Sequence, residues 1–191
     1  VWKMQVEAFS ELLKKYQDYD ISPAAESMDK VSARFEQPWT TYYFIVADDE
    51  KVGGIRVVDK KDGSRKRISP IWIMPEHRNR GYAQRAILEA EKIHGSDHWS
   101  LDTILQEKGN LYLYEKLGYH RTGRVDKINE RMDIVFYEKD ENHQMDYTIK
   151  KVTIDDYDAI YELWNSTEQS RRALNPIDDS REGIARYLKR N

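Results

Sequence analysis

The sequence predicts a domain of the α+β class, in which a mixed, mostly antiparallel sheet is flanked by helices. Runs of β-branched and aromatic residues at 41–47, 51–59 and 68–74 are separated by short turns, which is typical of an antiparallel meander. The third run leads into a helical period and then into an alternating strand at 99–105. Because a strand–helix–strand crossover implies parallel pairing, these observations together predict a mixed sheet.

Two helices are predicted before the meander. Near the start of the chain, apolar residues recur at helical spacing along one face: Val1, Met4, Ala8, Leu12 and Leu13. A break at 21–23 separates this helix from a second one over 24–37. Three apolar side chains of the second helix are expected to face inward: Met28, Val31 and Phe35.

The remaining elements complete the sheet. Gly53 and Gly54, inside the second strand, predict a bulge or a close approach of the backbone. A short helix over 109–117 is expected to end at Gly118. Two final strands are predicted at 119–123 and 132–139.

Composition limits the classes of function. The chain has 191 residues, of which 39% are hydrophobic and 34% charged, as in a soluble globular protein. The net charge of −3 argues against nucleic acid as the main partner, and no apolar run approaches the length of a membrane span. The absence of cysteine excludes disulfides, thiolate metal sites and a cysteine nucleophile. A cytoplasmic location is expected.

The turn between the 68–74 strand and the next helix is basic and contains a glycine. The first N–H groups of a helix lack intrahelical partners and lie at the positive end of the helix dipole, so an anion fits there. Gly81 lets phosphate oxygens approach the backbone, while Arg78 and Arg80 add positive charge. The turn lacks the lysine–hydroxyl ending of a P-loop and the three spaced glycines of a dinucleotide fingerprint. It therefore predicts a pyrophosphate site of another kind.

Two motifs, in this order, carry a resemblance to a known family. The pattern R-x-x-G-x-A at 78–83, after a strand that ends at 73–75, resembles the acetyl-CoA signature of the GNAT superfamily of N-acetyltransferases. The segment LYEKLGY at 113–119 resembles the second signature of that superfamily. One motif alone also fits a helix cap or a surface tyrosine. Both motifs together, with a strand between them, make the resemblance specific.

The resemblance implies transfer of an acetyl group from acetyl-CoA to a primary amine, with no metal ion. In the family, the pantetheine arm lies along the strand before the turn, and we expect an N–H group of that strand to stabilise the oxyanion. By this resemblance, Ile73 or Met74 supplies that N–H group. Backbone N–H groups of the turn would hold the pyrophosphate: those of Arg78, Asn79, Arg80, Gly81, Tyr82 and Ala83.

Tyr114 occupies the position of the tyrosine that often protonates the leaving thiolate in this family. A phenol with a pKa of ~10 can donate to a thiolate whose reference pKa is ~8.5. The alternative role for Tyr114 is packing against the pantetheine arm. Asp102 is the candidate base, because it lies where two strands are expected to separate. The alternative is that Asp102 has only a structural role. His77 is expected to support the loop.

The sequence departs from the family pattern in two places. Many members have an asparagine that contacts coenzyme A where this chain has Glu107, and Asn110 lies nearby in a different register. Many members also carry a glutamate base on the strand before the turn, whereas residues 67–74 contain no carboxylate. Asn110 is therefore the candidate contact to coenzyme A, and the assignment of the base stays open.

The resemblance covers residues 1–139, without the strand with which a GNAT domain is expected to begin. Residues 140–146 form a polar linker. Residues 147–191 resemble the first strand and two helices of a second, truncated GNAT domain, and the alternative is two unrelated amphipathic helices. We expect the strand at 147–152 to occupy the missing edge position, in the same chain or in a second copy as a homodimer.

The predicted function is an acetyl-CoA-dependent N-acetyltransferase that acts on a small-molecule or protein amine. The unassigned base favours a second interpretation, a catalytically silent acyl-CoA-binding module. A third interpretation is an interaction domain that pairs subunits through residues 147–191. Family members commonly determine acceptor specificity in the loop between the first two helices, but that loop follows no general sequence code.

Overall fold

The computed structural model of the protein describes residues 1–140, together with 153–158, 182–183 and 186. Residues 1–140 belong to one compact unit. Its elements in chain order are α1 Trp2–Tyr16, α2 Met28–Phe35, β1 Thr40–Ala47, β2 Glu50–Val58, β3 Lys66–Ile73, α3 Tyr82–His94, β4 Trp99–Ile104, α4 Lys108–Lys116, β5 His120–Asn129 and β6 Met132–Lys139. Short 3₁₀ turns lie at Pro75–His77 and Ile154–Asp156.

The six strands form one mixed sheet in the order β1-β2-β3-β4-β6-β5. Neighbouring strands run antiparallel except for β3 and β4, which are parallel. The crossover through α3 that the sequence predicts is therefore confirmed. The alternation predicted for β4 is also present, because Trp99, Leu101 and Thr103 are buried and the residues between them are less so.

β3 and β4 separate soon after they begin. Their pairing is confined to Lys66 opposite Trp99 and Arg67 opposite Ser100. Beyond Arg67, β3 stays paired with β2 and β4 stays paired with β6. The sheet therefore opens between β3 and β4, and the backbone groups on the two facing edges are not bonded to each other there.

Gly53 and Gly54 permit the close packing of β2 against β3. A Cβ atom on Gly54 would overlap the indole ring of Trp72, and one on Gly53 would overlap the carbonyl oxygen of Trp72. The close approach predicted for this glycine pair is confirmed. Trp72 is only 4% exposed and fixes the end of β3 that leads into the basic turn.

Helices cover both faces of the sheet. On one face, α3 and α4 bury their apolar residues in the main core with β2, β4 and β6. On the other face, Ala8 of α1 packs with Trp72, and Tyr16 of α1 packs with Met132. Because Trp72 belongs to β3 and Met132 to β6, α1 spans the opening between β3 and β4.

Two elements differ from the prediction. In α2, Val31 is buried as expected, whereas Met28 and Phe35 are 55% and 54% exposed. The helix is short because Ser27 caps its start, accepting a hydrogen bond from the Lys30 N–H group at 3.2 Å. β5 is longer than predicted and reaches Asn129. The prediction was too short because the residues of β5 are mostly exposed and show no apolar alternation.

The predicted strand at 147–152 lies outside the described residues, and so does most of the predicted partial repeat at 147–191. The docking of this strand on the edge of the sheet and a homodimer built on it therefore stay predictions. Among the helices that the structure describes, none is both long and apolar enough to cross a membrane.

Candidate active site

Two residues with positive φ shape the turn that joins β3 to α3. Asn79 has a φ of 62° and Gly81 a φ of 78°, and a Cβ atom on Gly81 would meet no other atom within 4 Å. The first i→i−4 bond of α3 runs from the N–H group of Arg85 to the carbonyl oxygen of Gly81 at 3.1 Å. The N–H groups of residues 82–84 precede that bond, so they are available to an anion.

A cavity of about 460 Å³, which we call the cradle cavity, extends from this turn to α4. Its walls come from α1, the end of β3, the turn, and the first turns of α3 and α4. Most of the predicted cofactor-binding residues line it: Ile73, Arg78, Asn79, Gly81, Tyr82, Ala83 and Asn110. Met74 and Arg80 are not part of its lining. Met74 is buried beside Trp72, and the Nη2 of Arg80 donates to the carbonyl oxygen of Glu76 at 3.3 Å.

The side chain of Arg78 binds α1. Its Nη2 donates to the carbonyl oxygen of Ala8 at 2.7 Å, and its Nη1 lies 3.3 Å from a carboxylate oxygen of Glu11. Its Nε donates to the carbonyl oxygen of Ile73 at 3.3 Å. Arg78 therefore holds α1 against the end of β3, a role that the sequence analysis missed because it depends on contacts about 70 residues apart.

Ile73 and Met74 differ in where their N–H groups point. The Met74 N–H group donates to the carbonyl oxygen of Val52 at 2.8 Å, so it is already used within the sheet. This bond makes Ile73 and its partner Gly53 a pair without mutual hydrogen bonds. The N–H group of Ile73 therefore points away from β2, toward the opening between β3 and β4.

A second cavity, of about 450 Å³, lies on the α1 side of the sheet, and we call it the splay cavity. Asp102 lines it, and the guanidinium of Arg67 binds the carboxylate of Asp102. Arg67 and Asp102 lie on β3 and β4, where the two strands part. The expectation that Asp102 faces the opening therefore agrees with its position, although Arg67 already engages one of its oxygens.

Tyr114 lines both cavities. Its ring is 6% exposed and packs edge-on against Tyr119, with the ring centres 6.3 Å apart. Its hydroxyl forms no hydrogen bond to any residue that the structure describes. Burial, with a smaller contribution from the charge of Asp102, raises the pKa of the Tyr114 phenol well above its ordinary value. The phenol is therefore a protonated donor where the two cavities meet.

Residues 6–119 match the acetyltransferase (GNAT) family, and they make up more than half of the chain. The chain belongs to the GNAT acetyltransferase family. The match begins in α1 and ends just after α4, so it includes the basic turn, both strands of the opening and Tyr114. No curated protein matches this GNAT chain.

The fold of this GNAT domain is similar to solved structures at low sequence identity. A chimeric spermidine N-acetyltransferase from Vibrio cholerae SpeG and hSSAT is 18% identical, with a TM-score of 0.54 over 71% of this chain and 89% of that chain. A Bacillus subtilis acetyltransferase in complex with CoA is 21% identical, with a TM-score of 0.50 over 60% and 84%. A chain of the NatC complex bound to Gag peptide and CoA is 22% identical, with a TM-score of 0.52 over 70% and 91%. At these identities, the likeness supports the fold alone.

Glu107, which departs from the family pattern, is bound to α1 in this GNAT domain. Lys15 lies 2.7 Å from one of its oxygens, and the hydroxyl of Tyr16 donates to the same oxygen at 2.5 Å. Burial alone would raise the pKa of Glu107, but the hydrogen bonds from Lys15 and Tyr16 outweigh it, and the pKa is lowered. The carboxylate therefore enters the cradle cavity already paired with a cation.

Asn110 lies one turn further along the start of α4. Its Nδ2 donates to the hydroxyl oxygen of Thr103 at 3.2 Å, and Asn110 lines both cavities. This bond joins α4 to β4 beside the opening. Contact of Asn110 with coenzyme A stays a prediction.

Asp18 is a lining residue that the sequence analysis missed. It lies between α1 and α2, is 5% exposed, and belongs to the wall of the splay cavity. The family resemblance implies that the loop between α1 and α2 determines acceptor specificity. However, an aspartate next to exposed polar residues gives no sign in the sequence that its side chain is buried.

One group of side chains within the described ranges has the spacing of metal ligands. Atoms of Asp97, His98 and Asp140 lie within 4.8 Å of one another. Arg65 already binds both oxygens of Asp140, at 2.7 and 2.9 Å. None of these residues lines the cradle or the splay cavity, so they contribute nothing to the candidate active site.

Proposed function

We propose that this GNAT domain transfers the acetyl group of acetyl-CoA to a primary amine by direct attack of the amine on the thioester. The observation that carries the proposal is the position of Tyr114, which lines both the cradle cavity and the splay cavity. In this arrangement the acyl donor enters through the cradle cavity and the acceptor through the splay cavity. The two meet where β3 and β4 part.

The cradle cavity fits the chemical groups of coenzyme A. The N–H groups of residues 82–84, which have no backbone partner within the described ranges, and the open space at Gly81 suit the pyrophosphate. The edge of β3 that faces the opening suits the pantetheine arm, whose amides can bond to strand backbone. Holding both reactants in one orientation supplies a large part of the acceleration expected of such an enzyme.

The chain's own groups then serve the transfer. The N–H group of Ile73, which points into the opening, stabilises the oxyanion that develops as the amine nitrogen bonds to the thioester carbon. As the carbon–sulfur bond breaks, the phenol of Tyr114 donates its proton to the sulfur. Asp102 receives the proton that the amine loses. A proton then passes through solvent from Asp102 to Tyr114 and replaces the one that Tyr114 gave to the sulfur.

The acceptor is an amine of a small molecule or of a protein. Among the similar structures, one is a spermidine N-acetyltransferase and another is bound to a peptide, so both kinds of acceptor occur on this fold. The splay cavity has the volume usual for a small-molecule site. This size favours the small-molecule acceptor.

A catalytically silent acyl-CoA-binding module is the second candidate, and one observation favours it. Arg67 binds the carboxylate of Asp102, so the proposed base has to share its oxygens between a guanidinium and the acceptor. β3 itself carries no carboxylate. A module of this kind would bind acetyl-CoA and release no thiol.

The test is thermal unfolding of the full chain with acetyl-CoA, followed by assay of thiol release against a panel of amines. A ligand at about a hundred times its Kd stabilises a protein by roughly 2.7 kcal/mol. Stabilisation with thiol release on one class of amine supports the enzyme. Stabilisation without release on any amine supports the silent module, and no stabilisation contradicts both.

A further inference from the structure

Asp18 has a buried carboxylate oxygen without a partner among the residues that the structure describes. Its Oδ1 accepts hydrogen bonds from the backbone N–H groups of Asp20 and Ile21, both at 3.1 Å. Its Oδ2 is buried and forms no hydrogen bond within the described part of the chain. Because an unpaired charged oxygen is costly to bury, native structures nearly always satisfy such atoms with a partner or a ligand.

The other two carboxylates of the splay cavity are already paired. Arg67 binds Asp102, and the Nε of Arg124 donates to Asp126 at 3.0 Å. Asp18 forms no ion pair with any residue that the structure describes. Of the three acidic side chains that line the cavity, it is therefore the one without an ion-pair partner among the described residues.

The walls of the splay cavity are largely apolar. Aliphatic side chains from α1, the α1–α2 loop and the β4–β6 face form much of the lining: Leu12, Leu13, Ile21, Ile104, Ile128 and Ile134. An apolar wall of this kind suits a hydrocarbon chain, and the carboxylate of Asp18 suits a cation. Together they fit an aliphatic chain that carries an ammonium group.

We infer that Asp18 binds the second, non-reacting ammonium group of a small aliphatic diamine acceptor. This inference rests on the proposed function, in which the reacting amine lies at Tyr114 and must be uncharged to attack the thioester. Asp18 reaches the same cavity from a different element, the α1–α2 loop. A second ammonium group on the acceptor supplies the cation that the Asp18 carboxylate lacks among the described residues.

The decisive variant is Asp18→Asn, which removes the charge and retains Oδ1 as the acceptor for the Asp20 and Ile21 N–H groups. Asp20→Asn is the matched control, because it removes the same charge from the same loop. Asp20 is exposed and does not line the cavity. The two probes are diaminobutane and butylamine, which differ by one amino group. Kinetics with saturating acetyl-CoA are compared with calorimetric binding of each probe in the presence of CoA.

For Asp18→Asn, we expect the KM and the Kd of diaminobutane to rise by about ten- to a hundredfold, the range of a charge-assisted hydrogen bond. We expect kcat and the butylamine values to stay unchanged, and Asp20→Asn to match the parent protein. Equal binding of diaminobutane by the parent and Asp18→Asn would overturn the inference. Failure of the parent protein to bind diaminobutane would also overturn the inference. This outcome includes the case in which only a peptide amine is acetylated.

The readouts also separate this inference from the proposed function. Diaminobutane binding that depends on Asp18, without thiol release, supports the site and contradicts the enzyme. Thiol release with diaminobutane that is insensitive to Asp18→Asn supports the enzyme and contradicts the site. Unfolding of both asparagine variants in parallel checks that neither has lost its structure.

Discussion

The ammonium group of Lys15 lies 2.7 Å from a carboxylate oxygen of Glu107, 92 residues further along the chain. Lys15 belongs to the last turn of α1 and Glu107 precedes the first turn of α4. The pair therefore joins two helices that lie on opposite faces of the sheet, beside the opening between β3 and β4. It also neutralises a carboxylate that lines the cradle cavity, where we propose that coenzyme A binds.

The Glu107 carboxylate makes stability depend on acid pH. Its pKa lies below the ordinary value of 4.5 in the folded protein, so it contributes stability above that pH and loses the contribution as the pH falls through the lower, folded value. We expect Glu107→Gln to lower the free energy of unfolding near neutral pH by less than about 1 kcal/mol. We expect the difference to vanish in acid.

Urea unfolding of the two proteins from about pH 7 to about pH 3 measures this convergence. Glu130→Gln is the control, because the Glu130 side chain is 91% exposed. A constant difference between Glu107→Gln and the parent across the pH range would show that Glu107 does not titrate with a lowered pKa.

Tyr114→Phe should separate catalysis from packing. The hydroxyl has no hydrogen-bond partner among the described residues, so its removal should leave the stability and the Kd of acetyl-CoA nearly unchanged. If Tyr114 protonates the thiolate, kcat should fall by about 10²- to 10⁴-fold. Thiol-release kinetics and thermal unfolding are the measurements. An unchanged kcat would assign Tyr114 to packing alone.

Gly81→Ala tests whether the cradle cavity binds acetyl-CoA, and Gly63→Ala is a control in the same domain. Gly81 and Gly63 have φ values of 78° and 85°, and a Cβ atom on either would meet nothing within 4 Å. Each alanine should therefore destabilise the fold by a similar amount, about 1 kcal/mol, for the left-handed backbone alone. Only Gly81→Ala places a methyl group in the cradle cavity.

We accordingly expect Gly81→Ala to weaken acetyl-CoA binding by at least about tenfold, or on the order of 1.4 kcal/mol, and Gly63→Ala to leave it unchanged. Isothermal calorimetry on both variants provides the comparison. Equal affinities in the two variants would place the pyrophosphate away from Gly81.

The sequence was informative where local pattern determines structure. The β-branched run before Pro75 and the three- and four-residue period after Gly81 were enough to predict β3, the basic turn and α3. Alternation from Trp99 onward was enough to predict β4, and a crossover permits only parallel pairing in practice. The position of the candidate site followed from the same elements, because they fix the backbone of the basic turn.

The rest depends on contacts that are distant in the chain. The ion pair between Arg67 and Asp102 spans 35 residues, and Arg78 reaches Ala8 across 70. Nothing in the local sequence identifies the partners of these two arginines. The burial of Asp18 likewise results from tertiary packing, and so does the exposure of Phe35, whose ring stacks on Tyr42 with the ring centres 4.4 Å apart.

A buried ion pair anchors α3 to the sheet. The first turn of α3 lines the cradle cavity. Glu91 is 4% exposed, and its oxygens accept hydrogen bonds from the hydroxyl of Tyr119 at 2.9 Å and from the Nζ of Lys139 at 2.6 Å. Burial, with the charge of Glu91 adding to it, raises the pKa of the Tyr119 phenol, which therefore stays a donor. All three groups are thus satisfied by one another.

Lys139→Met should lower the free energy of unfolding by about 3 kcal/mol, because it leaves the Glu91 carboxylate buried without a cation. Adding Glu91→Gln should recover most of that loss, since the amide oxygen still accepts from Tyr119 and no charge remains. Denaturant unfolding of the parent, both single variants and the double variant gives the coupling energy. Additivity of the two changes within about 0.5 kcal/mol would show that the pair does not anchor α3.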